Sequence, residues 1–183
     1  LYDWMRETRD PGLIPEPILE DLGKAAGIKY AAMKQPAMGA ARTRCIATIT
    51  AGEQNDRQAL QDALKDADPT VRYWAATWLG NLRAMESRAA LAVLTDDPVP
   101  ACRLSAHLAL CKLGDHGAHL PGLAALIDDP NRLVGMYAMN AIEQTGMLNE
   151  SVNAAAEQAQ SLPYDGTQRY GRRLQAKCEA VGV

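Results

Sequence analysis

A short pattern returns along this chain at a nearly fixed interval. Asp68-Pro69-Thr70-Val71-Arg72, with Ala75 and Leu79 beyond it, returns as Asp97-Pro98 with Cys102, Arg103, Ala106 and Leu110. It returns again as Asp129-Pro130 with Val134, Ala138 and Ile142. Val71 to Cys102, Ala75 to Ala106 and Leu79 to Leu110 are steps of 31; Cys102 to Val134, Ala106 to Ala138 and Leu110 to Ile142 are steps of 32. A period of this size is the mark of a solenoid, in which each unit buries its apolar face only against its neighbours. The period predicts a stacked scaffold rather than a pocketed catalytic domain.

Each unit reads as helix, turn, helix. The first helix spans about 56–65, with Ala59, Leu60, Ala63 and Leu64 on one face, and its equivalents carry Leu91 and Leu94, then Leu123 and Leu126. Asp-rich turns follow at 66–69, 96–98 and 128–130, where Asp before Pro reads as an N-cap with Pro at the first helical position. The second helix turns Val71, Ala75, Trp78, Leu79 and Leu82 inward, and the small residue at Ala75, Ala106 and Ala138 lets neighbouring helices approach. A weaker copy lies upstream at Ala41, Arg42, Cys45, Ile46 and Ile49. A last one follows Pro163, with Tyr170 and Leu174 in the slots of Ala138 and Ile142. Strand-like alternation is rare and Phe is absent. The expectation is an all-α solenoid of about five antiparallel helical pairs in a right-handed stack. Residues 36–183 form the repeats and 1–35 a connector, with the end of a helix over Tyr2–Thr8, a proline-rich stretch over Asp10–Pro17 and a short helix over Pro17–Ala26. The chain starts with Leu1 rather than Met, which reads as a fragment or a processed form.

Composition and motifs argue against several function classes. Net charge is -3 and Lys and Arg form no dense run, so nucleic acid is not an expected partner. No stretch approaches the roughly 18 apolar residues of a membrane span. Cys102 and Cys111 fall on one helix about 13 Å apart, too far for a disulfide, and Cys45 and Cys102 take slots of small core residues. Asp115, His116 and His119, with His107 and Cys111 nearby, is the one metal-like grouping, but Gly114 and Gly117 mark it as a loop between repeats. No nucleophile elbow, phosphate-binding glycine loop or zinc-protease helix occurs. Neither a cofactor nor catalysis is expected.

Two sets of residues stand out. Arg42, Arg72 and Arg103 share one slot beside Asp68, Asp97 and Asp129, and the expectation is hydrogen-bonded ion pairs that set the stacking register. Gly135 breaks this series. Tyr73, Trp74, Leu104, Leu108, Met136 and Tyr137 fall at outward or flanking positions of the second helices and form an apolar stripe. Such stripes mark partner surfaces. The occupant is a second copy, another domain of the parent chain, or residues 1–35; of these, a second copy or a missing catalytic domain is the expectation.

The stretch Leu1-Tyr2-Asp3-Trp4-Met5-Arg6-Glu7-Thr8-Arg9-Asp10, then Gly12-Leu13-Ile14-Pro15-Glu16, precedes repeats carrying Asp68-Pro69-Thr70-Val71-Arg72-Tyr73-Trp74-Ala75. Together these resemble the C-terminal HEAT-like repeat region of bacterial sulfatases of the alkaline-phosphatase-like superfamily. The Val71–Ala75 segment is also similar to other short HEAT-like repeats, including those of bilin lyases. The resemblance implies a sulfatase tail without its active site. The family's Cys/Ser-x-Pro/Ala-x-Arg signature is missing, since the nearest stretch, Cys45-Ile46-Ala47-Thr48-Ile49, lacks the Arg. No metal or catalytic residue carries over. A periplasmic or extracellular location and docking to the protein's own catalytic domain are what the resemblance implies. The alternatives are a free-standing HEAT-like adaptor and a bilin-lyase-like enzyme.

Overall fold

The computed structural model describes residues 13–27 and 38–183, and among them every regular element is helical. The expected helix end over Tyr2–Thr8 lies outside the described residues. Ten α-helices run in chain order: α1 (Glu16–Ala25), α2 (Ala40–Glu53), α3 (Arg57–Ala63), α4 (Pro69–Asn81), α5 (Arg88–Leu94), α6 (Pro100–Lys112), α7 (His116–Ala125), α8 (Arg132–Gln144), α9 (Glu150–Ser161) and α10 (Asp165–Ala180). A 3₁₀ turn, Met85–Ser87, precedes α5.

Helices α2, α4, α6, α8 and α10 pack in succession as one layer, and α3, α5, α7 and α9 each pack on the helix that follows them. This is the all-α solenoid that the period predicts. The described residues hold four complete pairs plus α2, and the residues before α2 (28–37) lie outside them. Buried Leu60, Leu91 and Leu123 of the short first helices meet Leu79, Leu110 and Ile142 of the second helices in two large apolar clusters. At turns after α2, α4, α6 and α8 the chain takes a positive φ at Asn55, Arg83, Gly114 and Gly146, which closes each helix in the left-handed manner. At the first three, a backbone N–H reaches back to a carbonyl five residues earlier, as Ala84 N does to Leu79 O at 3.0 Å.

The helix starts correct the Asp-Pro reading. N-caps of α4, α6, α8 and α10 are Asp68, Val99, Asn131 and Tyr164, at steps of 31, 32 and 33 residues. Asp68-Pro69 is a cap followed by a first-turn Pro, but Asp97-Pro98 and Asp129-Pro130 lie just before the cap. The conserved geometry is a different one: Asp66, Asp97 and Asp129 each accept the backbone N–H two residues ahead, all at 2.8 Å. The step of 33 also moves the last repeat. Gly171, not Tyr170, takes the small slot of Ala138; a Cβ there would sit 2.6 Å from Ala156 O. Thr167, buried, takes the slot of Val134.

Candidate interaction surface

The arginine series works through the turns. Arg72 donates from Nη1 to the carbonyls of Asp66 (2.8 Å) and Ala67 (3.0 Å) of its own turn. From Nε and Nη2 it forks onto both oxygens of Asp97 in the next turn, at 2.7 and 3.0 Å. Arg103 repeats the arrangement one unit on, donating to Asp97 O at 2.9 Å and pairing with Asp129 at 3.9 Å. Upstream, Asp66 is paired by Arg44 at 2.7 Å, two residues beyond the slot of Arg42, and this guanidinium holds the Asp66 carboxyl below its usual range. Asp68 stands apart from these pairs and caps Thr70 N at 2.8 Å. The series stops at Gly135, where an added Cβ would run into the carbonyl of Ile127.

Leu13 to Ala25 crosses the exposed edge of the second-helix layer and changes the picture of the stripe. Trp74 donates from Nε1 to Leu13 O at 2.8 Å, and Leu13 packs beside Cys45, Ile46 and Val71. Ile14, Ile18 and Leu19 pack with Ala101, Tyr73 and Val99. Beyond them α1 lies on α8. Asn131 there donates from Nδ2 to Pro17 O (2.7 Å) and Asp21 Oδ1 (2.8 Å). Lys24 Nζ reaches Pro130 O at 3.0 Å, and Arg132 pairs with buried Glu20 at 3.6 Å.

Residues of the stripe therefore divide. Tyr73 lies under Ile14 and Ile18, and burial pushes its hydroxyl up to about 12. Trp74 is half-buried, edge-on to Tyr73 at 5.5 Å. Leu104, placed outward by periodicity, is only 3% exposed and belongs to the core shared by α6 and α8, with Leu108 half-buried beside it. In the place of a second copy or another domain, residues 13–25 of this chain cover the Tyr73 end. The physical reason is that Trp74 and Asn131 offer side-chain N–H donors to the carbonyls of Leu13 and Pro17, while Ile14, Ile18 and Leu19 fill the apolar strip beside Tyr73.

Met136 and Tyr137 are half-buried and bound a recess of about 310 Å³ with Glu16, Asn140 and Tyr170. Tyr137 donates its hydroxyl to Glu16 Oε2 at 3.0 Å, and Asn140 Nδ2 donates to Tyr170 OH at 2.9 Å. The guanidinium of Arg173 lies 4.6 Å above the Tyr170 ring and also binds Glu143. A second, more apolar recess of about 350 Å³ opens between α7 and α9, lined by Leu120, Pro121, Ala124, Val152 and Ala155. Sequence reasoning missed Glu16, Asn131 and Asn140, because nothing in the repeat marks them.

The chemistry-bearing residues are quiet. Burial pushes Cys45 and Cys102 up to about 12 and Cys111 to about 11, which keeps these thiols protonated, and Cys178 is likewise a free, buried thiol. His116 to His119 begin α7 rather than a loop. His107 and His119 approach with their Nδ1 atoms 3.2 Å apart, and burial, with His119 beside it, lowers His107 to about 4. No group of three or more metal-ligating side chains occurs among the described residues. Among them, no helix is long and apolar enough to cross a membrane.

A family model described as HEAT repeats matches residues 40–111 and 57–143, together more than half of the chain. Among curated proteins none matches it.

Proposed function

The chain belongs to the HEAT-repeat family, a helical repeat scaffold, and from that premise we propose that it is the non-catalytic C-terminal module of a sulfatase-type protein. In this reading its second-helix layer receives the domain that precedes it. The observation that carries the reading is the course of residues 13–25. They begin within the sulfatase-like stretch, which runs to Glu16, and the Trp74–Leu13 hydrogen bond holds the backbone against α4. In this reading a preceding domain docks toward the α2–α4 end of the layer.

Reading the coding sequence upstream of Leu1 tests this. An alkaline-phosphatase-like domain with a Cys/Ser-x-Pro/Ala-x-Arg signature is expected, as is no turnover of an aryl sulfate by the pure chain. Any other upstream domain removes the sulfatase reading, and turnover that a single substitution in this chain abolishes removes the non-catalytic one.

A further inference from the structure

We propose that His107 and His119 form a two-histidine site for a transition-metal ion of the zinc(II) class, which clamps α6 to α7. The site stands apart from the reading above, since it involves neither residues 13–25 nor a preceding domain.

The sequence sets His116 and His119 in a loop. Helix α7 instead begins at His116, so its first turn presents His119 from a regular element. Gly114, at φ +97°, folds α7 back onto α6, and Asp115 N reaches Leu110 O at 3.1 Å. Across that fold the Nδ1 atoms of His107 and His119 lie 3.2 Å apart. The ring centroids are 5.4 Å apart, so the imidazoles meet by their nitrogen edges and not by their faces. Zn–N bonds of about 2.0–2.1 Å at the tetrahedral angle hold two ligand nitrogens about 3.3 Å apart. The pair has nearly that spacing.

His107 has little freedom to turn away. Its ring lies against the α7 backbone at Gly122, where an added Cβ would fall 2.2 Å from Cε1. A ligand so placed binds with a reduced ordering cost. Both histidines are half-buried and keep contact with solvent, from which an ion can enter. The charges acting on the pair balance: Asp96 and Asp115 offset Arg103 and Arg88. Arg88 is held by Asp115 at 3.0 Å, and Arg103 donates to Asp97 O at 2.9 Å. Imidazole suits zinc, copper and nickel, whereas magnesium and calcium take oxygen ligands. In the neutral pair one Nδ1 carries a proton and donates to the other. On coordination that proton moves to Nε2 of its own ring, both Nδ1 lone pairs bind the ion, and water fills the remaining positions. No proton is released.

The test titrates the whole chain with zinc(II) chloride, and with magnesium chloride as the hard-cation control. The chain has three histidines, so single substitutions assign the ion. One zinc per chain, a raised melting temperature and nitrogen-15 shifts at Nδ1 of both rings are expected, with no response to magnesium. His107→Gln and His119→Gln should each weaken binding at least about tenfold, the loss that even an outer partner of a metal site causes. His116→Gln should bind as the parent does. If a glutamine variant fails to fold by circular dichroism, the parent's ring nitrogens decide: coordination at the two Nδ1 atoms upholds the site, and coordination elsewhere overturns it. No response to millimolar zinc, binding that survives both substitutions, or binding lost with His116→Gln overturns it as well.

Discussion

Asn131 donates its Nδ2 to the carbonyl of Pro17 at 2.7 Å across 114 residues of chain, while its Oδ1 caps α8 at Leu133 N (3.0 Å). One buried side chain thus closes a helix and fastens residues 13–25 to it. Only an amide does both, since Asp supplies the cap but no donor. Asn131→Asp should keep α8 and release α1, because the new carboxylate faces Pro17 O and Asp21. A loss of about 1–3 kcal/mol is expected from the unmatched buried acceptors. Amide exchange should accelerate over 16–25 and not over 132–144. Equal exchange in both proteins would show that Asn131 does not hold the segment.

Arg72 and Asp97 carry most of the stacking register. Their side chains are 12% and 5% exposed, so the pair is largely removed from water. Arg72→Ala leaves Asp97 its turn hydrogen bond from Val99 N but no guanidinium, and frees two carbonyls. Breaking a buried pair from one side costs about 3–5 kcal/mol. Arg72→Lys should recover part of this, as a single ammonium cannot serve both carboxylate oxygens and both carbonyls. Thermal melts of the two variants check the order, and a Lys variant as stable as the parent would refute the fork.

The repeat was legible where packing imposes a size. Val71, Ala75 and Leu79, and their counterparts to Ile142, announce themselves because each unit solves the same packing problem. Tyr170 was misplaced because the last step lengthens to 33, and periodicity cannot see one inserted residue. The closeness of Ala156 O, which admits only glycine at 171, is a property of two packed helices. Asp97-Pro98 looked like Asp68-Pro69 because Asp and Pro serve two turn geometries with the same letters. Residues 13–25 repeat nothing, so their place on Tyr73 and Asn131 lay beyond any pattern.

His107 makes stability depend on pH. Its imidazole is lowered to about 4 from an ordinary 6.5, first by burial and then by His119. The folded state therefore favours the neutral ring. Its contribution is fully present above pH 6.5 and is lost as pH falls toward 4, where the unfolded chain binds a proton and the folded one does not. The loss should be roughly 1–3 kcal/mol. His107→Gln should flatten the stability profile between pH 6.5 and 4 in urea titrations. A parent slope left unchanged by that substitution would assign the effect elsewhere.

Close approach of α4 to α6 predicts a cost for small additions. A Cβ on Gly80 would lie 2.7 Å from Ala109 Cα, which is backbone and cannot turn aside. Ala106 is fully buried in the cluster that joins the same helices. Gly80→Ala and Ala106→Leu should each destabilise by about 1–3 kcal/mol through overpacking, despite the better helix propensity of the new residue at 80. Calorimetry reads this directly, and a raised melting temperature for either would mean the layers have room.

The cover over Tyr73 leads to a prediction for the association state. Ile14 and Ile18 are 5% and 3% exposed, and with Leu19 they lie on Tyr73, Val99 and Ala101. Burying each isoleucine stabilises the docked segment by roughly 1.5–3 kcal/mol. Ile14→Ser with Ile18→Ser should loosen residues 13–25 and open an apolar strip on α4 and α6. The parent should then remain a monomer at concentrations where the double variant self-associates and binds a hydrophobic dye. Tyr73→Glu with Leu104→Glu should behave differently. Leu104 is core, so a carboxylate there costs helix content as well as docking. Light scattering and circular dichroism on the three proteins decide the matter. A monomeric serine variant that binds no dye would show that residues 13–25 do not shield the strip. A glutamate variant of undiminished helix content would return Leu104 to the surface.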